Sequence, residues 1–135
     1  MIHKWNLPLT YEPKIQPVIN KDCLQTTRAG QKFKLGDLIA FHGWSGRPYW
    51  SPWSFRTPYF ELDYVNNIQI MQDGLMFESC TIPGVTYTIP WRMCGSWAKW
   101  DGIVPPTGEE YGKVLLSMNK VPITGLPGQI IRWKP

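Results

Sequence analysis

"YFELDYVNNIQIM", residues 59–71, is the stretch on which the fold turns. It contains neither glycine nor proline, it alternates in part, and its Phe, Tyr, Val and Ile suit a pleated surface. It therefore reads as one long or bent strand. Upstream, "KLGD" at 34–37 reads as a turn feeding "LIAFH", a short apolar run that predicts a strand over about 38–42. Downstream, "VTYTI" at 85–89 and the closing "GQIIRW" at 128–133 predict two more. Thr107 with Glu110 three residues later is a capping-box pattern, and Tyr111, Val114, Leu115 and Met118 follow at helical spacing. A helix is expected over about 108–119. "KIQPVIN" at 14–20 places Ile15, Val18 and Ile19 on one helical face, with Pro17 limiting the helix to one or two turns. The fold class is α+β, mainly β: a small curved sheet or open β-barrel of five or six strands with two or three short helices.

The 135 residues suffice for one domain with a core, so residues 1–135 are read as a single unit. The 12 glycines and 13 prolines indicate a loop-rich fold. A formal charge of +4 favours anionic partners without approaching that of proteins that coat nucleic acid. Cys23, Cys80 and Cys94 fit no paired zinc spacing and would leave one thiol over if two were bridged, which points to a reduced, cytoplasmic chain. "MIHKWNLPLT" lacks the pattern of an export leader, and no run of about 18 apolar residues indicates a membrane span. Neither a metal cluster nor a Gly-rich phosphate loop nor a Ser/His/Asp spacing is visible, so no cofactor is expected.

Between the first two strands lies "FHGWSGRPYWSPWSFRTPYF", residues 41–60, with no acidic residue. Its glycines and prolines argue against continuous ladder pairing and for a Trp/Arg-rich loop over 43–58. Phe41, Tyr59 and Phe60 are expected in the core. Trp44, Trp50 and Trp53, interleaved with Arg47 and Arg56, suit a platform on which bases stack while the arginines take phosphate. The alternative is a Trp-rich loop folded onto its own barrel with the arginines lying over the indoles in cation–π contact. His42, at a strand end, reads as a structural residue.

Three stretches in order, "CLQTTR" at 23–28, "KLGD" at 34–37 and "WAKWDG" at 97–102, followed by the helix and "GQIIRW", resemble the ASCH domain of the PUA-like superfamily across nearly the whole chain. The resemblance implies a PUA-like β-barrel with a cleft beside the first helix that takes RNA or nucleoside ligands. Some small ASCH proteins look like amidohydrolases that remove the acetyl group from acetylcytidine with a lysine, a threonine and a carboxylate. Carried onto this chain, the threonine falls on Thr26, the adjoining arginine on Arg28 and the carboxylate on Asp101; Cys23 stands at the lysine's place, with Lys21 two residues earlier.

Thr26, Asp101 and Lys21 are thus the candidate catalytic residues, and Arg28, Trp44, Arg47, Trp53, Arg56 and Trp100 the candidate nucleic-acid-binding ones. Lys21 can act as a base only if burial or a cationic neighbour lowers its pKa. Cys23 can act only as a thiolate. Arg28 suits two parallel hydrogen bonds to a phosphate or base edge, or a salt bridge to Asp37 or Asp101. Asp101 also suits a plain Asp-Gly turn. Three functions follow: binding of RNA or a modified nucleoside, hydrolysis of an acylated nucleoside, and a protein-interaction adaptor docking through exposed tryptophans.

Overall fold

A computed structural model describes residues 2–44 and 52–135. Along the chain run β1 (Lys4–Pro8), α1 (Glu12–Ile19), β2 (Gln25–Ala29), β3 (Leu38–Trp44), β4 (Trp53–Arg56), β5 (Phe60–Ile70), β6 (Gly74–Glu78) and β7 (Thr86–Pro90). A single 3-10 turn (Trp91–Met93), α2 (Gly95–Trp100), α3 (Gly108–Met118) and β8 (Leu126–Trp133) complete it. The described strands are eight rather than five or six, and they form one mixed sheet that does not close into a barrel.

Strand β5 organises the sheet. It pairs antiparallel with β8 along most of its length, with β3 at its start and with β6 at its end. Its sequence is only partly alternating because of a bulge at Asp63: Leu62 lies opposite Trp133 and Tyr64 opposite Arg132, which leaves Asp63 as an extra residue. An inserted residue reverses which parity faces which side of a sheet. Phe60 and Leu62 accordingly join one apolar cluster with Phe41, Val18, Ile131 and Trp133. Beyond the bulge Ile68 and Ile70 join a second, with Leu75, Ala98, Tyr111, Leu115 and Ile130. Strand β8 is covered on both sides, with Ile130 in one cluster and Ile131 in the other. A strand buried on both faces reads as an apolar run, which is why "QIIRW" does not alternate.

Four short strands escaped the sequence reading. β2, "QTTRA", carries no apolar pattern although Gln25, Thr26 and Thr27 are all buried, because Gln25 and Thr27 meet polar partners and Thr26 lines a cavity. β4 lies inside the stretch expected to be loop and pairs with the end of β3, where the Phe55 ring packs on Gly43 so closely that a Cβ there would sit 2.4 Å from it. β1 and β6 are five residues each, too short to show a period. The helix expected over 108–119 is α3, and Glu110 N donates to Thr107 Oγ1 at 3.2 Å as the capping pattern requires. α1 runs through Pro17, and its buried residues are Lys14 and Val18, while Ile19 is exposed. The three cysteines are free thiols. No helix among the described residues is long and apolar enough to cross a membrane.

Strand β1 runs parallel to β3 and is anchored at its start by Asp37 in the "KLGD" turn. The buried Asp37 carboxylate accepts from the Trp5 indole (2.9 Å) and from the backbone N–H groups of Lys34 (3.1 Å) and His3 (3.2 Å). Burial alone would raise its pKa, but these hydrogen bonds outweigh it and hold the group below its ordinary value. A depressed folded-state pKa contributes stability that is present above the unfolded value, about 3.9, and is lost as pH falls through the folded one. Asp37→Asn should therefore cost about 1–3 kcal/mol at pH 7. In urea unfolding the gap between wild type and variant should narrow toward pH 3; a gap unchanged between the two pH values would contradict this role.

Candidate functional site

Two of the strands that pair on one side only, β1 and β2, approach one another without pairing, and the Arg28 side chain spans the seam by donating from Nη2 to the Pro8 carbonyl at 2.9 Å. A cavity of about 300 Å³ opens here, walled by the end of β1, by α1, β2, α3 and the Asp101–Ile103 segment. Thr26, Thr27, Arg28, Lys14 and Asp101 all line it.

Asp101 owes its position to the way α2 stops. Gly102 N donates to Lys99 O and Ile103 N to Ala98 O, a Schellman ending that requires the left-handed backbone Gly102 adopts at φ +74°. The space is also tight, since a Cβ at 102 would lie 3.1 Å from Cys23 Sγ and 3.4 Å from Lys14 Cγ. The "DG" pair is thus a helix stop, and the carboxylate it presents engages side chains. Lys14 Nζ lies 3.3 Å from Asp101 Oδ2, and both side chains are buried, with 4% and 6% exposed. Oδ1 accepts from Thr27 Oγ1 at 3.3 Å and from Gln25 Nε2 at 3.4 Å. Tyr111, wholly buried, lies 2.5 Å from Thr27 Oγ1. Because Thr27 spends its one proton on Asp101, the phenol is the donor, giving a relay from Tyr111 through Thr27 to Asp101. Burial, reinforced by the Asp101 charge, pushes the Tyr111 pKa well above 10, so the phenol keeps that proton.

Strand alternation divides the β2 residues. Gln25 and Thr27, the latter opposite Ile130, face Asp101; Thr26, opposite Ile131, and Arg28, over the Phe41 ring at 5.8 Å, face the other way. Both sets reach the cavity because β2 is an edge strand. Of the threonines, Thr27 rather than Thr26 touches the carboxylate. The lysine comes from α1: Lys21 is exposed, in a left-handed turn after the helix, and does not line the cavity. Cys23 is a buried thiol 3.5 Å from the carbonyls of Gln25 and Trp100, and burial raises its pKa even against the pull of Lys14, which disfavours the thiolate.

The aromatic candidates lie elsewhere. Trp44 is half-buried, edge-on to His42 at 4.9 Å. Arg56 lies over the Tyr59 ring at 5.8 Å, a phenol rather than an indole, with Asn6 Oδ1 at 3.5 Å. Trp53 stands in β4. Arg47 and Trp50 fall outside the described residues. Trp97 stacks on Phe77 and Trp91 meets Tyr111 edge-on, so both are packing residues; Trp100 is 48% exposed, with the Arg132 guanidinium 4.6 Å from its ring. His42 is buried, and its pKa is lowered first by burial and then by Arg56 and Arg28. No cluster able to hold a metal ion exists among the described residues.

Sequence reading missed Lys14, Gln25, Thr27 and Tyr111. Lys14 precedes Val18 by four residues and so shares its buried stripe, a signal visible in the sequence. Comparison with family models, curated proteins and solved structures found no match.

Removing one partner of a buried ion pair leaves an uncompensated charge and costs about 3–5 kcal/mol. Lys14→Met should show a loss of this order in urea unfolding, and Lys14→Met combined with Asp101→Asn should recover much of it. Additive losses in the double variant would mean the two groups are not coupled.

Proposed function

We propose that the cavity receives an acylated nucleoside such as acetylcytidine and hydrolyses its amide, in keeping with the resemblance to ASCH domains of the PUA-like superfamily. The observation that carries this reading is the buried Lys14–Asp101 pair on the cavity wall, which supplies a lysine where the motif itself offers Cys23. Hydrolysis needs a base for the attacking water, a donor for the oxyanion and an acid for the leaving amine. Asp101 accepts a proton from water as the water oxygen bonds to the acyl carbon, and the Lys14 ammonium donates to the developing oxyanion. The C–N bond then breaks as Asp101 returns the proton to the exocyclic nitrogen, releasing carboxylic acid and free amine. Thr27 and Tyr111 orient the carboxylate through their relay. Thr26 offers a hydroxyl from the opposite face of β2.

A second reading, recognition of RNA or a modified nucleoside without chemistry, is favoured by the satisfaction of both Asp101 oxygens within the protein. Chromatography after incubation with acetylcytidine separates the two. Hydrolysis predicts cytidine release, reduced about 100-fold or more in a folded Asp101→Asn variant, and by more in Thr27→Ala than in Thr26→Ala. Tight binding with no released cytidine selects recognition, and neither binding nor release removes both readings.

A further inference from the structure

The cavity holds more positive than negative charge. Lys14 and Asp101 neutralise one another at 3.3 Å. Around them stand the Tyr11 hydroxyl, engaged by the Val104 backbone, the Cys23 thiol and the Tyr111 phenol, both held in their neutral forms by burial, and His42, whose imidazolium is disfavoured by burial and by two arginines. Arg28 is left over. The carboxylate that acts on it is Asp101, already engaged by Lys14. Its other supports are one backbone carbonyl, Pro8 O at 2.9 Å, and the Phe41 ring at 5.8 Å, while its Nε is buried with no hydrogen-bond partner. Burial pulls the Arg28 pKa down to about 10, opposed by Asp101. The guanidinium nonetheless stays charged at neutral pH. A half-buried cation whose Nε is closed to solvent and which has so few partners is favoured by an anion that compensates it, and the protein places it on the wall of a cavity.

We infer that Arg28 is the seat for an anionic group on the ligand, a phosphate, so that the cavity takes a nucleotide or a nucleotide unit of RNA in preference to a free nucleoside. The inference rests on the nucleoside reading above for the base and on the charge census alone for the phosphate. A phosphate oxygen on the accessible part of the guanidinium supplies the missing charge and a further acceptor, although it does not reach the enclosed Nε. Lys14, held by Asp101, leaves Arg28 as the group that distinguishes phosphorylated from unphosphorylated ligand.

Calorimetric titration of the full chain with cytidine, cytidine 5′-monophosphate and cytidine 3′-monophosphate, together with thermal unfolding in inorganic phosphate, tests this. One of the monophosphates should bind at least about tenfold more tightly than cytidine, the gain expected of one charge-assisted contact. In Arg28→Met the preference should shrink to within about twofold, with Arg28→Lys between, and inorganic phosphate should raise the Tm of wild type but not of Arg28→Met. Equal affinity for cytidine and both monophosphates, or a preference that survives in Arg28→Met, overturns the inference. If Arg28→Met does not fold, Arg28→Lys and salt dependence decide: a wild-type phosphate preference that does not weaken with added salt overturns it. Hydrolysis of acetylcytidine without any phosphate preference would sink this inference alone. Stabilisation by inorganic phosphate through Arg28 without hydrolysis would sink the enzymatic reading alone.

Discussion

The buried pairing of Lys14 with Asp101 is the interaction on which the site depends. Two charges taken out of water carry a desolvation cost of several kcal/mol each, and their attraction offsets it only when geometry and further hydrogen bonds are favourable. Here Gln25 and Thr27 supply those bonds, and Tyr111 extends them. The pair therefore joins three elements distant in sequence: the first helix, the edge strand β2 and the end of α2. A hydrophobic pair of similar size would hold them as well, so stability alone does not explain charged groups at this point. Their position on a cavity wall does.

The seam beside that pair is the second constraint. A sheet that closed fully would bond β1 to β2 and leave no room between them. Instead the Arg28 side chain crosses the gap to the Pro8 carbonyl, and residues from both strands line a hollow. Positive charge, hydroxyls and amides gather there, while the two apolar clusters lie on opposite sides of the central strands.

How much of this was legible in the sequence depended on whether burial was apolar. β5 and α3 could be read because their buried Phe, Leu, Ile and Tyr follow a period, broken once in β5, and β8 because its buried residues form a short apolar run. β2 could not, since its buried Gln and Thr residues satisfy polar partners from other segments, and hydropathy carries no trace of such contacts. Thr26, Arg28 and Asp101 were found through motif order, and they share the cavity. Lys14 was overlooked because a lysine on a short surface helix is ordinarily solvated; only its spacing from Val18 distinguished it. The Trp/Arg stretch was conspicuous by composition, yet Trp44 and Arg56 lie against neighbouring rings and away from the cavity lining.

The single surplus residue at Asp63 has a consequence for how this chain can vary in length. It acts as a phase shifter that lets one continuous strand supply side chains first to one interior and then to the other. Losing or gaining one residue between Phe60 and Ile70 would send Ile68 and Ile70 to the wrong compartment together. Homologous chains should therefore keep the residue count of this segment fixed while their turns lengthen and shorten around it.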